Sequence, residues 1–501
     1  MTEDRIPVIV GVGEIIDRPA DPVLGLEPLA LMAVALKRAD ADAGGGLLGA
    51  IDSLDVVNLM SWQYSDAARQ LADRLGIGPR RAVYGPLGGE SPVRCLHEAA
   101  LRIARGESRV AAICGAEALS TVKKAQKAGI ELPWTPFSLA GPQSGLHFAE
   151  DFLHPLAIKL GAAQPITVYP FYETASAAKW GQTPRQALAE SGDLWAACSR
   201  VAAANPAAWL KQCFSPEEII TPTADNRMIA WPYTRRMVAN PTVNQGAAVL
   251  VMSWARTRAA GIPASRLVHI WGGAAAREPR DYLDRDQYGE SHAQAAVLEA
   301  AMTLSGGRAF DALELYSCFP CVPKMARRVL GLGADVSPTV TGGLSFFGAP
   351  LNNYMTHAVC AMVRRLRGGE ALGLLYGQGE FLTKHQALVL ASGAPQRPIQ
   401  SWNPSVQAEA DSRRSAVPPF QANARGIASL EAFTVIHDRD GSVRHGVVIL
   451  RTKDGGRTLA RVPAGDQSTL DRLVSLDQGP IGIEGALQAK KDGISDWSVP
   501  S

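Results

Sequence analysis

Residues 95–115, CLHEAALRIARGESRVAAICG, read as a helix that stops at Gly106 followed by an apolar strand that runs from Val110 to Cys114 and into Gly115. The same construction returns 262 positions later: residues 357–377, HAVCAMVRRLRGGEALGLLYG, place a helix ahead of Gly368 and a strand over Leu372–Tyr376 ahead of Gly377. Other landmarks shift by nearly the same amount, 260 for the opening strands around Val10 and Ile270 and 256 for Asp55 and Asp311, each at or just before an apolar strand. Short buried strands alternating with helices are the pattern of a layered α/β fold, and the constant offset makes it two copies of one unit. The last strand breaks the offset, since Ala247–Trp254 precedes its counterpart Ala387–Ala391 by only 140 positions. The first copy therefore carries an insertion of roughly 122 residues, which fits Thr121–Asn240, a stretch rich in Pro, Trp and polar turns. Insertions of that kind commonly supply a lid or a binding wall.

Working outward, further strands are expected at Val8–Val12, Leu54–Leu59, Leu267–Trp271 and Ala312–Tyr316. The helix Pro92–Arg105 has Ser91 as its expected N-cap, Pro92 at the first helical position and Gly106 past its end, with Val93, Leu96, Ala99, Ala100 and Ile103 on one face. Beyond Gly393 the texture changes. Gln396–Ala424 reads as a linker with little structure, followed by strands at Leu430–His437, Ser442–Thr452, Arg457–Val462 and Pro480–Leu487, with Asp440-Gly441 and Asp454-Gly455 as hairpin signals. The end of the chain is expected to be a small β-barrel or meander.

The chain has 501 residues, 47% apolar and 20% charged, enough for about three domains of ordinary size. Fifty basic against 48 acidic residues exclude the basic footprint of a nucleic-acid binder. An OB-like nucleic-acid role for the terminal barrel also finds no aromatic and basic stripe over Leu430–Val462. The beginning of the chain, MTEDRIPVIVGVG, lacks the basic and long apolar regions of a secretory signal, and no apolar run approaches the ~18 residues of a membrane span. Seven dispersed cysteines, read as buried thiols, point to a reduced, cytoplasmic setting. Abundant glycine, 48 residues, predicts tight turns and close helix–strand contacts.

Local motifs are weak. Gly44–Gly49 has the spacing of a dinucleotide loop but follows a helical segment where that loop requires a strand. Cys318-Phe319-Pro320-Cys321 has no second cysteine pair or nearby histidine pair, so no metal is expected. No G-x-S-x-G elbow, P-loop or H-E-x-x-H is present.

Five stretches in order resemble the thiolase superfamily: IARGESRVAAICGAEALS (103–120), DNRMIAWPYTRRMVANPTVNQGAAVLV (225–251), ELYSCF (314–319), TGGLSFFGAP (341–350) and YGQG (376–379). They are most similar to the sterol-carrier-protein type, and the extra C-terminal segment resembles the thiolase-like protein type one subgroup. The resemblance implies a layered α/β/α/β/α core with these parts: an N-terminal half at 1–120 plus 241–262, a loop domain at 121–240, a C-terminal half at 263–394, a linker at 395–424 and an additional β-barrel-like domain at 425–501. It also shows what is missing. The family's nucleophilic cysteine falls on Gly89, its second cysteine on Tyr376, and its two histidines on Ala349 and Tyr316.

Thiolase chemistry needs a thiolate to carry the acyl group and acid–base partners, and a glycine supplies neither. Candidate replacements are Cys318 as acyl carrier or acid/base, His385 as a base, Tyr316 and Tyr376 as hydrogen-bond donors to a thioester oxygen, and Ser91 near the old nucleophile's place. The resemblance implies an acyltransferase of the acetyl-CoA acetyltransferase kind, transferring acyl groups other than amino-acyl groups in lipid metabolism. Coenzyme A would be substrate or product, held between the loop domain and Val238–Gln245, with no nucleic acid or membrane partner. The alternative is a non-catalytic thiolase-like protein that binds acyl-CoA or scaffolds another enzyme. Acyl length and the choice of monomer or dimer stay open.

Overall fold

The structure is a computed structural model and describes residues 5–138 and 149–500, so residues 1–4 of the N-terminal reading and 139–148 of the insertion lie outside the described residues. The first half contains β1 (Pro7–Ile16), β2 (Ser53–Val56), β3 (Arg81–Tyr84) and β4 (Val110–Ala118). The insertion contributes β5 (Met228–Ala230) and β6 (Tyr233–Thr234), and β7 (Asn244–Ser253) completes the half. The second half has β8 (Val268–Arg277), β9 (Ala312–Glu314), β10 (Leu372–Gly379) and β11 (Lys384–Ala391).

Nine of these eleven strands, all but β5 and β6, form one sheet in the order β3-β2-β4-β7-β1-β8-β11-β10-β9. Each half repeats one rule. The opening strand (β1 or β8) pairs antiparallel with the closing strand (β7 or β11), which pairs antiparallel with β4 or β10, beside which β2 or β9 runs parallel. The second half lacks a counterpart of β3, and the halves meet where Val8 and Ile9 pair with His269 and Val268. The offset seen in the sequence is thus a repeat of strand order. Helices complete five layers: Pro28–Asp42 covers the outside of the first half and His292–Leu304 that of the second, while Ser91–Arg105 and Tyr354–Arg367 touch each other and strands of both halves.

Glycine permits this spacing where it matters. A Cβ on Gly11 of β1 would fall on the Ala39 carbonyl oxygen of the outer helix, so only glycine lets the two backbones approach so closely. Helix Ser91–Arg105 buries Val93, Leu96, Ala99, Ala100 and Ile103, each large side chain contributing about 1.5–3 kcal/mol. It ends where Gly106 takes φ 77° and donates to the carbonyls of Arg102 and Ile103. Its start corrects the reading of Ser91: the N-cap is Glu90, without a side-chain cap, and Ser91 is the first helical residue.

The terminal strands are β12 (Gly426–His437), β13 (Val443–Thr452), β14 (Arg457–Pro463), β15 (Glu484–Ala489) and β16 (Ser495–Ser498). They close into a five-stranded barrel, β12-β13-β14-β16-β15 and back to β12. Three readings need correction here. The strand expected at Pro480–Leu487 begins only at Glu484, after a turn. The segment read as an unstructured linker holds the helix Gln407–Ser412 and is fastened to the core, Gln407 accepting from the Arg277 amide at 2.8 Å and Arg414 pairing with Glu278 at 3.0 Å. The cysteines are all free, but Cys213 is exposed while the other six are buried. The barrel also joins the insertion, since β5 pairs with β12 through Ala230 and Ile436. No helix among the described residues is long and apolar enough to cross a membrane.

Candidate functional site

A cavity of about 380 Å³ opens where the two halves and the insertion meet. Gly88 and Gly89 reach it from the loop before helix Ser91–Arg105, and Ile166 and Tyr169 from the insertion helix Pro165–Lys179. Ala239 and Pro241 come from the segment entering β7, and Tyr316, Cys318, Ala349 and Gln378 from the second half. Gly89, Ala349 and Tyr316, three of the four positions on which the resemblance puts the family's catalytic groups, therefore line one cavity.

Asn352 fixes the glycine loop, accepting from the Gly88 amide at 3.1 Å and donating to the Asn58 carbonyl at 3.2 Å. A Cβ at residue 89 would fall on the Tyr316 hydroxyl and lie 2.6 Å from the Gln378 carbonyl oxygen. Tyr316 thus occupies the room that a nucleophilic side chain at residue 89 would need. Tyr316 holds a left-handed backbone, φ 54°, which costs a non-glycine residue about 1–3 kcal/mol and persists only where surrounding structure over-determines it. Among the described residues four non-glycine positions share that strain, and three of them, Tyr316, Leu351 and Glu380, line this cavity. Burial raises the Tyr316 phenol well above its ordinary value, so it stays a neutral donor.

Cys318 is 6% exposed, and its sulfur accepts from Gln378 Nε2 at 3.1 Å. Burial pushes its thiol up to about 12 against that hydrogen bond, so at neutral pH it is a thiol and not a thiolate. Gln378 Nε2 also donates to the Tyr169 hydroxyl at 2.7 Å, while its Oε1 is buried without a hydrogen-bond partner. An unpaired buried acceptor beside an open cavity is a place for a ligand's donor.

The other candidates lie elsewhere. Ser91 is fully buried and its hydroxyl donates to the Pro86 carbonyl at 3.1 Å. Tyr376 and His385 sit behind the cavity wall: the Tyr376 hydroxyl donates to His385 Nδ1 at 2.7 Å and accepts from Gln294 Nε2 at 3.1 Å. His385 Nε2 donates to the Leu382 carbonyl at 3.1 Å. Burial lowers His385 to about 4 despite Glu278 nearby, which leaves the imidazole neutral. Sequence reasoning missed Gln378, Tyr169 and Glu90. The Glu90 carboxyl is buried, is raised by that burial against the pull of Lys384, and has an unpaired Oε2.

Residues 406–493 match the thiolase-like protein type 1 additional C-terminal domain family. The whole chain aligns with the whole of a monomeric SCP2-thiolase-like protein type 1 from Mycobacterium smegmatis, at 29% identity and TM-score 0.82. The chain is similar to the thiolase-like proteins of type 1 and carries their additional C-terminal domain. More distant structures share the fold of the thiolase-like core. An acetyl-CoA acetyltransferase from Syntrophomonas wolfei aligns with 77% of this chain and 99% of its own, at 16% identity and TM-score 0.55. A human mitochondrial 3-ketoacyl-CoA thiolase in complex with CoA aligns with 79% of this chain and 100% of its own, at 16% identity and TM-score 0.56. No curated protein sequence matches the chain. The family match opens at residue 406, inside the stretch read as linker, in keeping with the ordered Gln407–Ser412 helix of this thiolase-like chain.

Proposed function

We propose that the cavity receives the thioester end of an acyl-CoA and that the chain is an acyltransferase of lipid metabolism working without the family's cysteine nucleophile. The observation that carries this is the strained Tyr316, whose hydroxyl stands in the place of a residue-89 side chain. In this reading the Tyr316 hydroxyl donates to the thioester oxygen and stabilises charge that develops there as the carbonyl carbon is attacked. The neutral Cys318 thiol and the Gln378 amide supply further hydrogen bonds, and transfer passes with no acyl-enzyme: the acceptor's nucleophilic atom bonds the carbonyl carbon, the C–S bond breaks, and CoA leaves as the thiol with the proton the acceptor gives up, water being the acceptor where no other is supplied.

The test is to titrate acetyl-CoA and longer acyl-CoAs, follow free CoA, and weigh the intact protein. Saturable binding and CoA release without an acyl adduct are expected, with release lowered by Cys318→Ala but not abolished. An adduct on Cys318 would overturn the direct route, and binding without turnover across the panel would overturn the acyltransferase reading.

A further inference from the structure

The appended barrel reaches the cavity through two buried arginines. Arg457, at the start of β14, is fully buried, yet most of its hydrogen bonds leave the barrel. Its Nη1 donates to the Leu283 carbonyl at 2.9 Å and to the Arg285 carbonyl, and its Nη2 to the Asp286 carbonyl at 3.3 Å. Its one acidic partner in the barrel is Glu431, at 2.9 Å, and Arg451 also pairs with that carboxylate. The barrel's own ion pair therefore survives without Arg457, whereas among the described residues the 283–286 segment has no other guanidinium to gather its carbonyls.

Arg285, 2% exposed, takes the next step. Its Nη2 donates to the Phe381 carbonyl at 2.8 Å and to the Leu382 carbonyl, and its guanidinium lies 4.8 Å from the Tyr172 ring centre. The Glu380–Leu382 turn it holds carries two of the four left-handed non-glycine residues, with φ 59° at Glu380 and 57° at Leu382. The same turn orients the cavity wall: the Tyr169 hydroxyl donates to the Glu380 carbonyl at 3.0 Å and accepts from the Leu382 amide at 3.1 Å. That hydroxyl is the group from which Gln378 takes its position beside Cys318.

A strained turn with carbonyls in a dry interior stays in place only while charged donors satisfy them. We propose that Arg457 and Arg285 form a relay by which the C-terminal barrel holds the Glu380–Leu382 turn, and through it Tyr169 and Gln378, in the geometry of the cavity. Both are positioning residues, and the barrel's task in this chain is to set the shape of a site to which it contributes no lining residue. The consequence for an acyl-CoA rests on the reading above, but the relay itself can be tested without ligand.

Amide hydrogen exchange on the full chain decides it. In Arg457→Met, exchange at residues 379–383 is expected to rise ~10-fold or more while β13 amides over Val447–Leu450 keep their protection, because local openings have their own free energies. Arg285→Met, which leaves the barrel's contacts untouched, is expected to loosen the same turn at least as much. Arg457→Lys, still a cationic donor, restores part of the protection. Unchanged exchange at 379–383 in Arg285→Met overturns the relay, as does a turn that stays protected in Arg457→Met whether or not the barrel opens. Acetyl-CoA titration then separates the two readings. Binding weakened several-fold in Arg457→Met and partly restored in Arg457→Lys supports both, while absent binding to the unmodified protein counts against the thioester reading and leaves the exchange result to stand.

Discussion

Tyr316 and Tyr376 occupy two places where a thiolase carries catalytic groups, and the protein treats them in opposite ways. Tyr376 has a regular strand backbone in β10, and its hydroxyl is saturated by His385 and Gln294 in a closed, buried network. Tyr316 has a strained backbone and lines the open cavity beside an unpaired Gln378 oxygen. Saturated hydrogen bonding marks scaffold, whereas strain beside unpaired polar atoms marks a site. Both are tyrosines at homologous functional positions, so only their surroundings separate them.

The largest effect should come from forcing the family's nucleophile back. Gly89→Cys places a Cβ on the Tyr316 hydroxyl, and overpacking of this kind costs about 1–3 kcal/mol. Adding Tyr316→Ala should recover most of that loss, because contacting positions do not act additively. Denaturant midpoints for both single variants and the double variant check the coupling, and simple additivity would mean that the two residues do not compete for one space.

The same chemical change at the two tyrosines should then give different signatures. Tyr376→Phe strands His385 Nδ1 in a dry network and leaves the Gln294 amide only its bond to the Val322 carbonyl, and it should cost about 1–3 kcal/mol of stability, read from urea unfolding. Tyr316→Phe should leave stability within about 0.5 kcal/mol.

A pH-dependent effect separates the cavity from the carboxyl behind it. Burial raises Glu314 to about 7, against hydrogen bonds from Thr339, Tyr354 and Thr341. In the unfolded chain it titrates near ~4.3, so the folded state binds the proton more tightly and loses this stability as pH rises through about 7. Glu314→Gln, neutral throughout, should gain on the unmodified protein between about pH 5 and 8. A stability difference that stays constant with pH would show that Glu314 is ionised in the fold. The smallest effect is a thiol count: one fast-reacting cysteine in the native chain, Cys213, with the buried six reacting on unfolding.

The fold was legible because duplication writes itself into spacing. The offset between Gly115 and Gly377 anticipates strand order, and the Asp440-Gly441 turn does close the β12–β13 hairpin, with the Gly441 amide donating to Asp438 at 3.1 Å. Short or weakly apolar elements escaped, such as β3 with its exposed Val83 and the four-residue β16. The site was half legible. Counting along the chain identifies Gly89 and Tyr316, but that one excludes a side chain on the other is a tertiary fact. Cys318 carries a chemically attractive label, yet burial keeps it protonated. Arg457 looks like the opening of a barrel strand, and no local pattern says that its guanidinium serves carbonyls more than 170 residues away.

In the proposed function a thioester reacts in the cavity around Tyr316 and not at the Tyr376–His385 network. Acyl-CoA-dependent release of free CoA by the unmodified protein and by Tyr316→Phe tests it most directly. Removing a donor to a developing oxyanion should lower release by ~10²–10³-fold with the fold intact, and release at the unmodified rate would mean that the Tyr316 hydroxyl takes no part in the reaction.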